Sequence, residues 1–311
     1  MPVYAADRVL TPERVIERGW VAVENGVVTH VGRTAPPESA VRLTGTLTPG
    51  FVDMHCHGGA GASFESADPE QVIAAAALHR THGTTTLIAS LVSAQEDTLQ
   101  QQVRALVPMC QDGVIAGIHL EGPHDPTALR DPSAGELDRL ITAGAGSIKM
   151  ITFAPERSGA LDTIRACVAQ GVVAAIGHTD ASYRQVAEAI DAGATVATHL
   201  FNAMRPVHHR KGGPVAALSE AHGVTVELIA DGVHLSAPML GFARRGAEDR
   251  VALVTDAMAA AGCGDGNYEL GSLGVTVSDG VARLVDGGAI AGSTLTMDAA
   301  VRYYAQATGA G

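Results

Sequence analysis

The sequence predicts an α/β protein built around a barrel of eight parallel strands, joined to a smaller β domain. From residue 51 onward, short apolar and β-branched runs alternate with Ala-rich helical stretches. Runs that are apolar along their whole length are typical of strands buried on both faces, and alternation with helices is typical of parallel pairing. Eight such repeats occupy about 205 residues, which fits a (β/α)8 barrel of the TIM type.

The predicted strands and helices of the barrel follow in order. The strands cover residues 51–55, 85–91, 114–120, 148–153, 172–176, 195–199, 224–230 and 251–255. The clearest helices cover residues 69–82, 99–111, 161–170 and 182–192. A doubly wound open sheet would share this alternation. It rarely needs eight units, however, and no G-x-G-x-x-G loop follows the first strand, so we favour the barrel.

Shorter β patterns lie on either side of the barrel. Residues 20–31 alternate apolar and polar positions around Asn25-Gly26, a strong signal for a type I′ hairpin. We therefore assign residues 1–48 to a small β-sandwich domain and residues 49–264 to the barrel. In the remaining segment, 265–311, we expect a hairpin over 275–284 and a final helix over 296–307, returning toward the small domain.

Composition excludes several classes of partner. The chain has 33 acidic and 21 basic residues and a formal net charge of -12. This balance argues against binding to nucleic acid or to an anionic membrane, because both need a basic surface. No run of 18 apolar residues and no signal-peptide pattern occurs, so we expect a cytoplasmic protein. The four cysteines form no C-x-x-C pair, which predicts reduced thiols rather than disulfides or a thiolate zinc site.

Histidines and carboxylates gather where the predicted strands end. In such a barrel the reacting groups lie at the carboxyl ends of the strands. Imidazole and carboxylate are ligands that a zinc-like ion prefers, and three protein ligands leave one position open for water. Each histidine taken singly is more often a core or surface residue, but the convergent set favours a metal site. Its members are His55, His57, His119, Glu121, His178, His199, Asp231, His234 and Asp256.

Two of these positions carry more specific predictions. His55 and His57 point to the same side of their strand while Cys56 points away, so the pair can share one ion. Asp256 ends the last strand and is followed by Ala257 and Met258 rather than by a helix that it could cap. We therefore predict that Asp256 takes a proton from water and later returns it to a leaving amine, in preference to a turn or N-cap role.

A basic loop follows the sixth strand. Residues 205–211 hold five groups that can carry positive charge: Arg205, His208, His209, Arg210 and Lys211. Arginine offers a planar fork for phosphate or carboxylate, and a barrel mouth is concave. The alternative is a solvated surface loop. The loop lies close to His199 in sequence, which favours an anion site.

The combined motifs resemble the amidohydrolase superfamily, and within it the N-deacetylases of amino-sugar phosphates. The resemblance spans nearly the whole chain. It rests on PGFVDMHCHGG at 49–59, HLEGP at 119–123, GHT at 177–179, THLFNAM at 198–204, VTDAM at 254–258 and IAGS at 290–293.

The resemblance implies an activity and its cofactor. The expected enzyme is a metal-dependent hydrolase that removes the N-acetyl group from N-acetylglucosamine 6-phosphate, giving glucosamine 6-phosphate and acetate, in amino-sugar metabolism and cell-wall sugar recycling. Its cofactor would be a divalent metal, Zn²⁺ by preference, with one or two ions per subunit. Its partner would be a small phosphorylated amino sugar, with no nucleic acid or membrane, and its assembly a homodimer.

The resemblance also implies roles for individual residues. Glu121, His178 and His199 would hold the main metal, and His55 and His57 would serve a second one in some members. Asp256 would be the general base and acid. Arg210 would bind the phosphate, across a dimer interface in one arrangement. The acetamide and the sugar would meet His124, Asn202, Ala203, His234, Ile290, Ala291 and Gly292.

The chain departs from the family pattern in two places. The family usually has a further loop between the positions of Pro123 and His124, which are adjacent here. Either that loop is absent, which would leave the pocket open and the position of His124 in doubt, or the stretch is missing from this sequence. Relatives also continue past the equivalent of residue 311 to complete the small β domain, so we expect the C-terminal remainder to be absent here.

Two rival functions share parts of this pattern. Another amidohydrolase, such as a dihydroorotase or an N-acyl-amino-acid deacylase, would bridge two metals with a carboxylated lysine, for which Lys149 is the candidate. Glu121 makes that bridge unnecessary, and the basic loop favours phosphate. A non-catalytic barrel is the second rival, against which the complete set of ligands and Asp256 argues.

Overall fold

A computed structural model describes residues 1–66, 68–122 and 128–310 of the chain. These residues form two compact units, Met1–Phe51 and Val52–Gly311. The predicted boundaries at residues 48 and 264 stay predictions.

The first unit consists of two small sheets. Its strands are β1 Val3–Ala5, β2 Arg8–Leu10, β3 Val15–Glu17, β4 Trp20–Glu24, β5 Val27–Gly32, β6 Val41–Arg42 and β7 Thr46–Leu47. One sheet has the order β5-β4-β1-β6 and the other has the order β3-β2-β7. Asn25 and Gly26 both have positive φ, at 51° and 79°, as a type I′ turn requires, and they join antiparallel β4 and β5. The predicted hairpin is confirmed.

Eight parallel strands form the barrel of the second unit, as predicted. They are β8 Phe51–Cys56, β11 Thr84–Leu91, β12 Gly117–Leu120, β13 Ile148–Phe153, β14 Val173–Ile176, β15 Val196–Ala197, β16 Thr225–Ile229 and β17 Val251–Val254. Each strand neighbours the next in chain order. The first and last strands meet at their carboxyl ends, where Asp256 N donates to His55 O at 2.9 Å and Cys56 bridges to Ala257.

Helices connect the barrel strands. They are α1 Pro69–Thr81, α2 Glu96–Gln111, α3 Ala134–Gly144, α4 Ala160–Ala169, α5 Tyr183–Asp191, α6 Gly213–Glu220 and α7 Ala237–Ala247, and α8 Met297–Thr308 follows the barrel. The four helices predicted between strands and the final helix are confirmed within a few residues. Among the helices of the described segments, none combines the length and apolar character needed to cross a membrane.

Two further sheets belong to the second unit. Short strands β9 Gly58–Gly59 and β10 Ala62–Ser63 pair directly after β8. Strands β18 Gly266–Leu270, β19 Leu273–Ser278 and β20 Val281–Leu284 form an antiparallel sheet, which contains the predicted hairpin and one strand more. Its inner residues Leu270 and Val275 pack with Met258 and Ala259 just beyond β17, so this sheet caps the end of the last barrel strand.

A chain of hydrogen-bonded side chains crosses the interior of the barrel. Ser90 Oγ lies 2.9 Å from His119 Nδ1, and His119 Nε2 lies 2.8 Å from Thr152 Oγ1. Thr152 Oγ1 in turn lies 2.8 Å from Thr198 Oγ1. All four residues are buried, and each of these polar groups has a hydrogen-bond partner. We call this layer of side chains, which lies beneath the carboxyl ends of the strands, the floor of the barrel.

Candidate metal centre and active site

The predicted ligands converge at the carboxyl ends of the barrel strands. Each lies at or just past the end of a strand, where the backbone leaves the sheet. All are buried except His178, which is half-buried. The residues are His55 and His57 at the end of β8, Glu121 after β12, His178 after β14, His199 after β15 and Asp256 after β17.

The first group of donor atoms surrounds one oxygen of Glu121. Glu121 Oε2 lies 2.9 Å from His57 Nε2 and 3.3 Å from His55 Nε2. The two Nε2 atoms are 3.2 Å apart. Asp256 Oδ1 completes the group, at 3.3 Å from His57 Nε2 and 3.4 Å from His55 Nε2. Asp256 is therefore close enough to join these residues in holding an ion.

The second group surrounds the other oxygen of the same carboxylate. Glu121 Oε1 lies 3.0 Å from His178 Nε2 and 2.9 Å from His199 Nε2, and the two Nε2 atoms are 3.0 Å apart. Glu121 thus turns one oxygen toward each group. The family resemblance implies that Glu121 acts with His178 and His199, and the geometry adds that Glu121 also joins the H-x-H pair.

The spacing and chemistry of these atoms fit divalent cations. Ligands at about 2.0–2.1 Å around a tetrahedral ion lie roughly 3.3 Å from one another, close to the separations seen in both groups. Carboxylate oxygens and imidazole nitrogens with lone pairs repel one another at such distances unless positive charge lies between them. Protons or metal ions must therefore supply that charge.

The pKa values of these groups reflect the same demand for positive charge. Burial by itself lowers the pKa of His57, but hydrogen bonds with Asp256 and Glu121 outweigh it and raise that pKa to about 9. Burial by itself raises the pKa of the Asp256 carboxyl, but His55 and His57 hold it below its usual value. The first group thus keeps its carboxylates ionised and holds protons where a metal ion could replace them.

Three residues of the cluster have left-handed backbone conformations. The φ angles are 47° at His178, 26° at His199 and 48° at Asp256. A non-glycine residue in this region costs about 1–3 kcal/mol, and such positions cluster at functional sites. Here the unusual backbone turns each side chain inward as the chain leaves its strand.

Gly177 allows the backbone before His178 to pass close to the floor of the barrel. A Cβ atom at Gly177 would lie 2.7 Å from Thr198 Cβ and 2.9 Å from Thr152 Cγ2. Only glycine fits against the floor of the barrel at this point, so the G-H-T motif sets the depth at which His178 enters the site.

The predicted loop 290–292 lies beside Asp256. Ser293 N donates to Asp256 O at 2.7 Å, and a Cβ atom at Gly292 would lie 3.1 Å from that same oxygen. Gly292 also has a φ of 62°. Ile290 and Ala291 precede this close approach, with Ala291 N donating to Ala282 O at 3.1 Å. The structure therefore brings this loop to the predicted general base.

Other predicted substrate residues lie in the turns that follow β15 and β16 and form hydrogen bonds within them. Asn202 Nδ2 donates to His199 O at 3.1 Å, so its side chain braces the turn after His199. Ala203, with a φ of 50°, accepts a hydrogen bond from Thr179 N through its carbonyl oxygen. His234 Nδ1 lies 2.7 Å from the Asp231 carboxylate, which fixes the orientation of the imidazole.

The basic loop is exposed and is anchored at one end. Arg205 donates two hydrogen bonds to Asp180, at 2.7 and 2.8 Å, so its charge is already paired. His208, His209, Arg210 and Lys211 are exposed. No hydrogen bond or ion pair of the Arg210 guanidinium is seen within the described part of the chain, and an anion could reach it.

Two further residues were candidates for the site, His124 and Lys149. His124 falls in 123–127, beyond the described residues. Lys149, the candidate for a carboxylated bridge, is exposed and donates from Nζ to Gly146 O at 2.9 Å. It cannot bridge metals in this position, which removes the main support for the rival with a carboxylated lysine.

Glu227 is the residue that sequence reasoning missed. It lies on β16, is fully buried, and contacts His55. A signal for it exists, because a lone acidic residue interrupts the apolar run 224–230. A charged side chain inside a buried strand needs a partner and is therefore a candidate site residue.

Comparison with known proteins extends the resemblance. Residues 46–308 match the amidohydrolase family. The chain is 34% identical to the N-acetylgalactosamine-6-phosphate deacetylase of Escherichia coli O157:H7, covering 99% of this chain and 84% of that protein. It is 33% identical to the N-acetylglucosamine-6-phosphate deacetylase of Bacillus subtilis (strain 168), covering 96% of this chain and 81% of that protein.

Solved structures show the same relationship. The chain superimposes with a TM-score of 0.96 on an N-acetyl-D-glucosamine-6-phosphate deacetylase from Mycobacterium smegmatis, at 46% identity over 100% of this chain and 84% of the other. That structure is a variant with one aspartate replaced by alanine, in complex with N-acetyl-D-glucosamine 6-phosphate.

Proposed function

The chain belongs to the amidohydrolase family, and we propose that it removes the N-acetyl group of N-acetylglucosamine 6-phosphate, releasing acetate and glucosamine 6-phosphate. It is a hydrolase of amino-sugar metabolism, as its relatives are. The observation that best supports the reaction is the buried cluster at the barrel mouth, in which Glu121 joins two donor groups and Asp256 borders one of them. This cluster combines metal ligands with a proton acceptor.

We propose that the cluster holds two zinc ions. His55, His57 and Asp256 would hold one ion with Glu121 Oε2, and His178 and His199 would hold the other with Glu121 Oε1. The nitrogen-rich donor set and the separations near 3 Å favour zinc over magnesium or calcium, which prefer oxygen ligands at higher coordination number. Bound there, the cations would polarise the acetamide carbonyl and lower the pKa of water in the site.

Asp256 would carry the proton in both halves of the reaction. Its carboxyl has a pKa below the usual value, so it is ionised at neutral pH and can accept a proton from water as the water attacks the acetamide carbon. The same proton then passes from Asp256 to the nitrogen as the C–N bond breaks. The amine leaves with acetic acid, which gives its proton to the amine or to solvent to become acetate, and Asp256 is again ionised.

The sugar would be positioned by groups around the mouth. The 290–292 loop and the turn after β15 border the cluster, and His234 is held in a fixed orientation by Asp231. Arg210 would bind the phosphate, since its guanidinium is exposed while Arg205 is paired with Asp180. His124 is assigned to the acetamide oxygen by resemblance alone.

N-Acetylgalactosamine 6-phosphate is a second candidate substrate. The E. coli relative with that activity in its name matches 99% of this chain at 34% identity, close to the 33% of the B. subtilis N-acetylglucosamine-6-phosphate deacetylase. The two sugars differ at one hydroxyl group. Selectivity for the glucosamine form is favoured by the higher identity, 46%, to the M. smegmatis protein.

Acetate release tests the proposal. The zinc-loaded protein should release acetate from N-acetylglucosamine 6-phosphate with a higher kcat/KM than from the galactosamine epimer, and a chelator should abolish the reaction. A higher kcat/KM for the epimer would make N-acetylgalactosamine 6-phosphate the preferred substrate instead. Absence of acetate release from both sugars, with two zinc ions bound, would favour a different amidohydrolase or a non-catalytic barrel.

A cytoplasmic location and a homodimeric assembly are also proposals. The four free cysteines are compatible with a reducing cytoplasm. A homodimer would allow Arg210 to serve the partner's site. Light scattering of the purified protein would test the dimer, and a mass equal to one chain would contradict it.

A further inference from the structure

Glu227 is a buried carboxylate that the proposed mechanism does not use. It lies in the middle of β16 and has no exposed surface. Removing an ionised carboxylate from water costs several kcal/mol unless nearby groups compensate. No Lys or Arg is seen to pair with Glu227 within the described residues. Its position must therefore be explained by the groups that it does contact.

One oxygen of Glu227 contacts residues of both donor groups. Glu227 Oε2 lies 3.2 Å from His55 Nδ1 and accepts a hydrogen bond from His199 N at 3.1 Å. Because this oxygen already accepts a hydrogen bond from the His199 backbone, it is placed to accept one from His55 as well, which puts the hydrogen on His55 Nδ1. In neutral His55 the lone pair then lies on Nε2, the atom that faces Glu121 Oε2 and His57 Nε2.

The other buried histidines of the cluster have no comparable support. Within the described residues, neither His57 Nδ1 nor His199 Nδ1 has a hydrogen-bond partner. Carboxylates that accept a hydrogen bond from the far nitrogen of a metal-binding histidine fix its tautomer and increase its basicity. Glu227 occupies that position for His55.

We infer that Glu227 is a positioning residue that prepares His55 to bind a metal ion. It orients the imidazole through Nδ1, holds the backbone of His199 in the neighbouring group, and places negative charge behind the cluster, where the cations would compensate it. This inference rests on the proposed function only in requiring that the cluster binds metal.

Three variants test the inference. Glu227→Leu removes the acceptor and the charge while keeping a buried side chain, and we expect it to weaken one of the two zinc sites about 10- to 100-fold. Glu227→Gln keeps an acceptor oxygen and should weaken that site less. Thr152→Val is the matched control, because Thr152 is equally deep in the barrel and hydrogen-bonds His119 and Thr198, neither of which belongs to the two donor groups.

The readouts separate positioning from general stability. Zinc stoichiometry and affinity are measured by competition with a chromogenic chelator, and folding of the metal-free proteins by circular dichroism and thermal unfolding. The inference predicts that Thr152→Val lowers the Tm but keeps both affinities, whereas Glu227→Leu loses affinity even where its Tm matches that control. Two zinc sites of wild-type affinity in folded Glu227→Leu would overturn the inference. The proposed activity fails separately, if the wild-type protein releases no acetate.

Discussion

Asp256 is chemically distinct from the other side chains of the cluster. It is buried, lies 3.3 Å from His57 Nε2, and also borders the 290–292 loop through its backbone oxygen. Glu121 belongs to both donor groups, whereas Asp256 belongs to the first group only. Proton transfer is therefore assigned to the Asp256 carboxylate rather than to Glu121.

Asp256→Asn should separate proton transfer from binding. The amide keeps the size of the side chain but cannot accept a proton, so kcat should fall about 10²- to 10⁴-fold. Because Asp256 is also a proposed ligand of the ion held with His55 and His57, that ion should bind more weakly, so kcat is measured at saturating zinc, where KM should change little. Both kcat and zinc content are measured on the same preparation. Near-normal turnover in the variant would remove Asp256 from the mechanism.

Arg210→Ala should weaken recognition of the phosphate. Loss of one charge-assisted hydrogen bond costs about 1.5–3 kcal/mol, so KM for the phosphorylated sugar should rise about 10- to 100-fold. The unphosphorylated N-acetylglucosamine should be hydrolysed as before. Lys211→Ala is the control, since it removes the same charge one residue along the loop. An equal effect of both variants, or on both sugars, would contradict a specific contact at Arg210.

Most of the cluster was predictable residue by residue because each ligand ends an apolar run. His55, Glu121, His199 and Asp256 all follow this rule, and parallel strands bring such positions together. Glu227 does not follow it, since it lies inside its strand and depends on a neighbour 172 positions away in sequence. The sharing of Glu121 between two groups also depends on the conformation of one side chain, which no spacing encodes.

Helix α5 shows how local sequence fixes an element next to the site. Ser182 Oγ accepts a hydrogen bond from Gln185 N, and Gln185 Oε1 accepts one from Ser182 N, which forms a capping box. Ser236 is the N-cap residue of α7, but its side chain makes no capping hydrogen bond. Among the serine N-caps of the described residues, Ser133 of α3 and Ser182 make a side-chain capping bond and Ser236 does not.

Ser182→Ala should destabilise the protein more than Ser236→Ala. Loss of an engaged cap costs about 1 kcal/mol, which corresponds to a Tm lower by roughly 2 °C for a chain of this size. Ser236→Ala should change the Tm by much less. Thermal unfolding of the metal-free proteins measures both. Equal losses would show that the box contributes nothing beyond the serine itself.

Element lengths were the least predictable feature. The sixth strand was predicted over 195–199 but is only Val196–Ala197, because the chain reaches the left-handed His199 two residues later. Helices α3, α6 and α7 were not among the clearest predicted helices, and β18 forms by pairing with β19. These outcomes depend on tertiary contacts rather than on local pattern.

At the scale of the whole molecule, stability and metal binding are linked through pH. In the metal-free protein the pKa of His57 is about 9, above its ordinary value of 6.5. Folding therefore favours the protonated form, and the resulting stabilisation is complete below about pH 6.5 and is lost as the pH rises through 9. A cation that replaces the protons removes this dependence.

Thermal unfolding at pH 6.5, 7.5 and 9 tests this linkage. The chelated protein should lose stability across this range relative to the zinc-loaded protein, so the difference in Tm should grow with pH. The His57→Asn substitution should reduce this increase of the Tm difference with pH. A difference in Tm that is constant from pH 6.5 to 9 would mean that protons and metal do not compete for this group.

The left-handed backbone at His178, His199 and Asp256 has a consequence for directed evolution. Each position is one where glycine would relieve strain of about 1–3 kcal/mol, yet glycine would delete a ligand or the proton acceptor. A screen for heat resistance alone would therefore reward replacements that inactivate the protein. Libraries intended to raise the thermal stability of this protein should keep these three codons fixed. Stabilising substitutions should be sought in the helices and turns around the barrel.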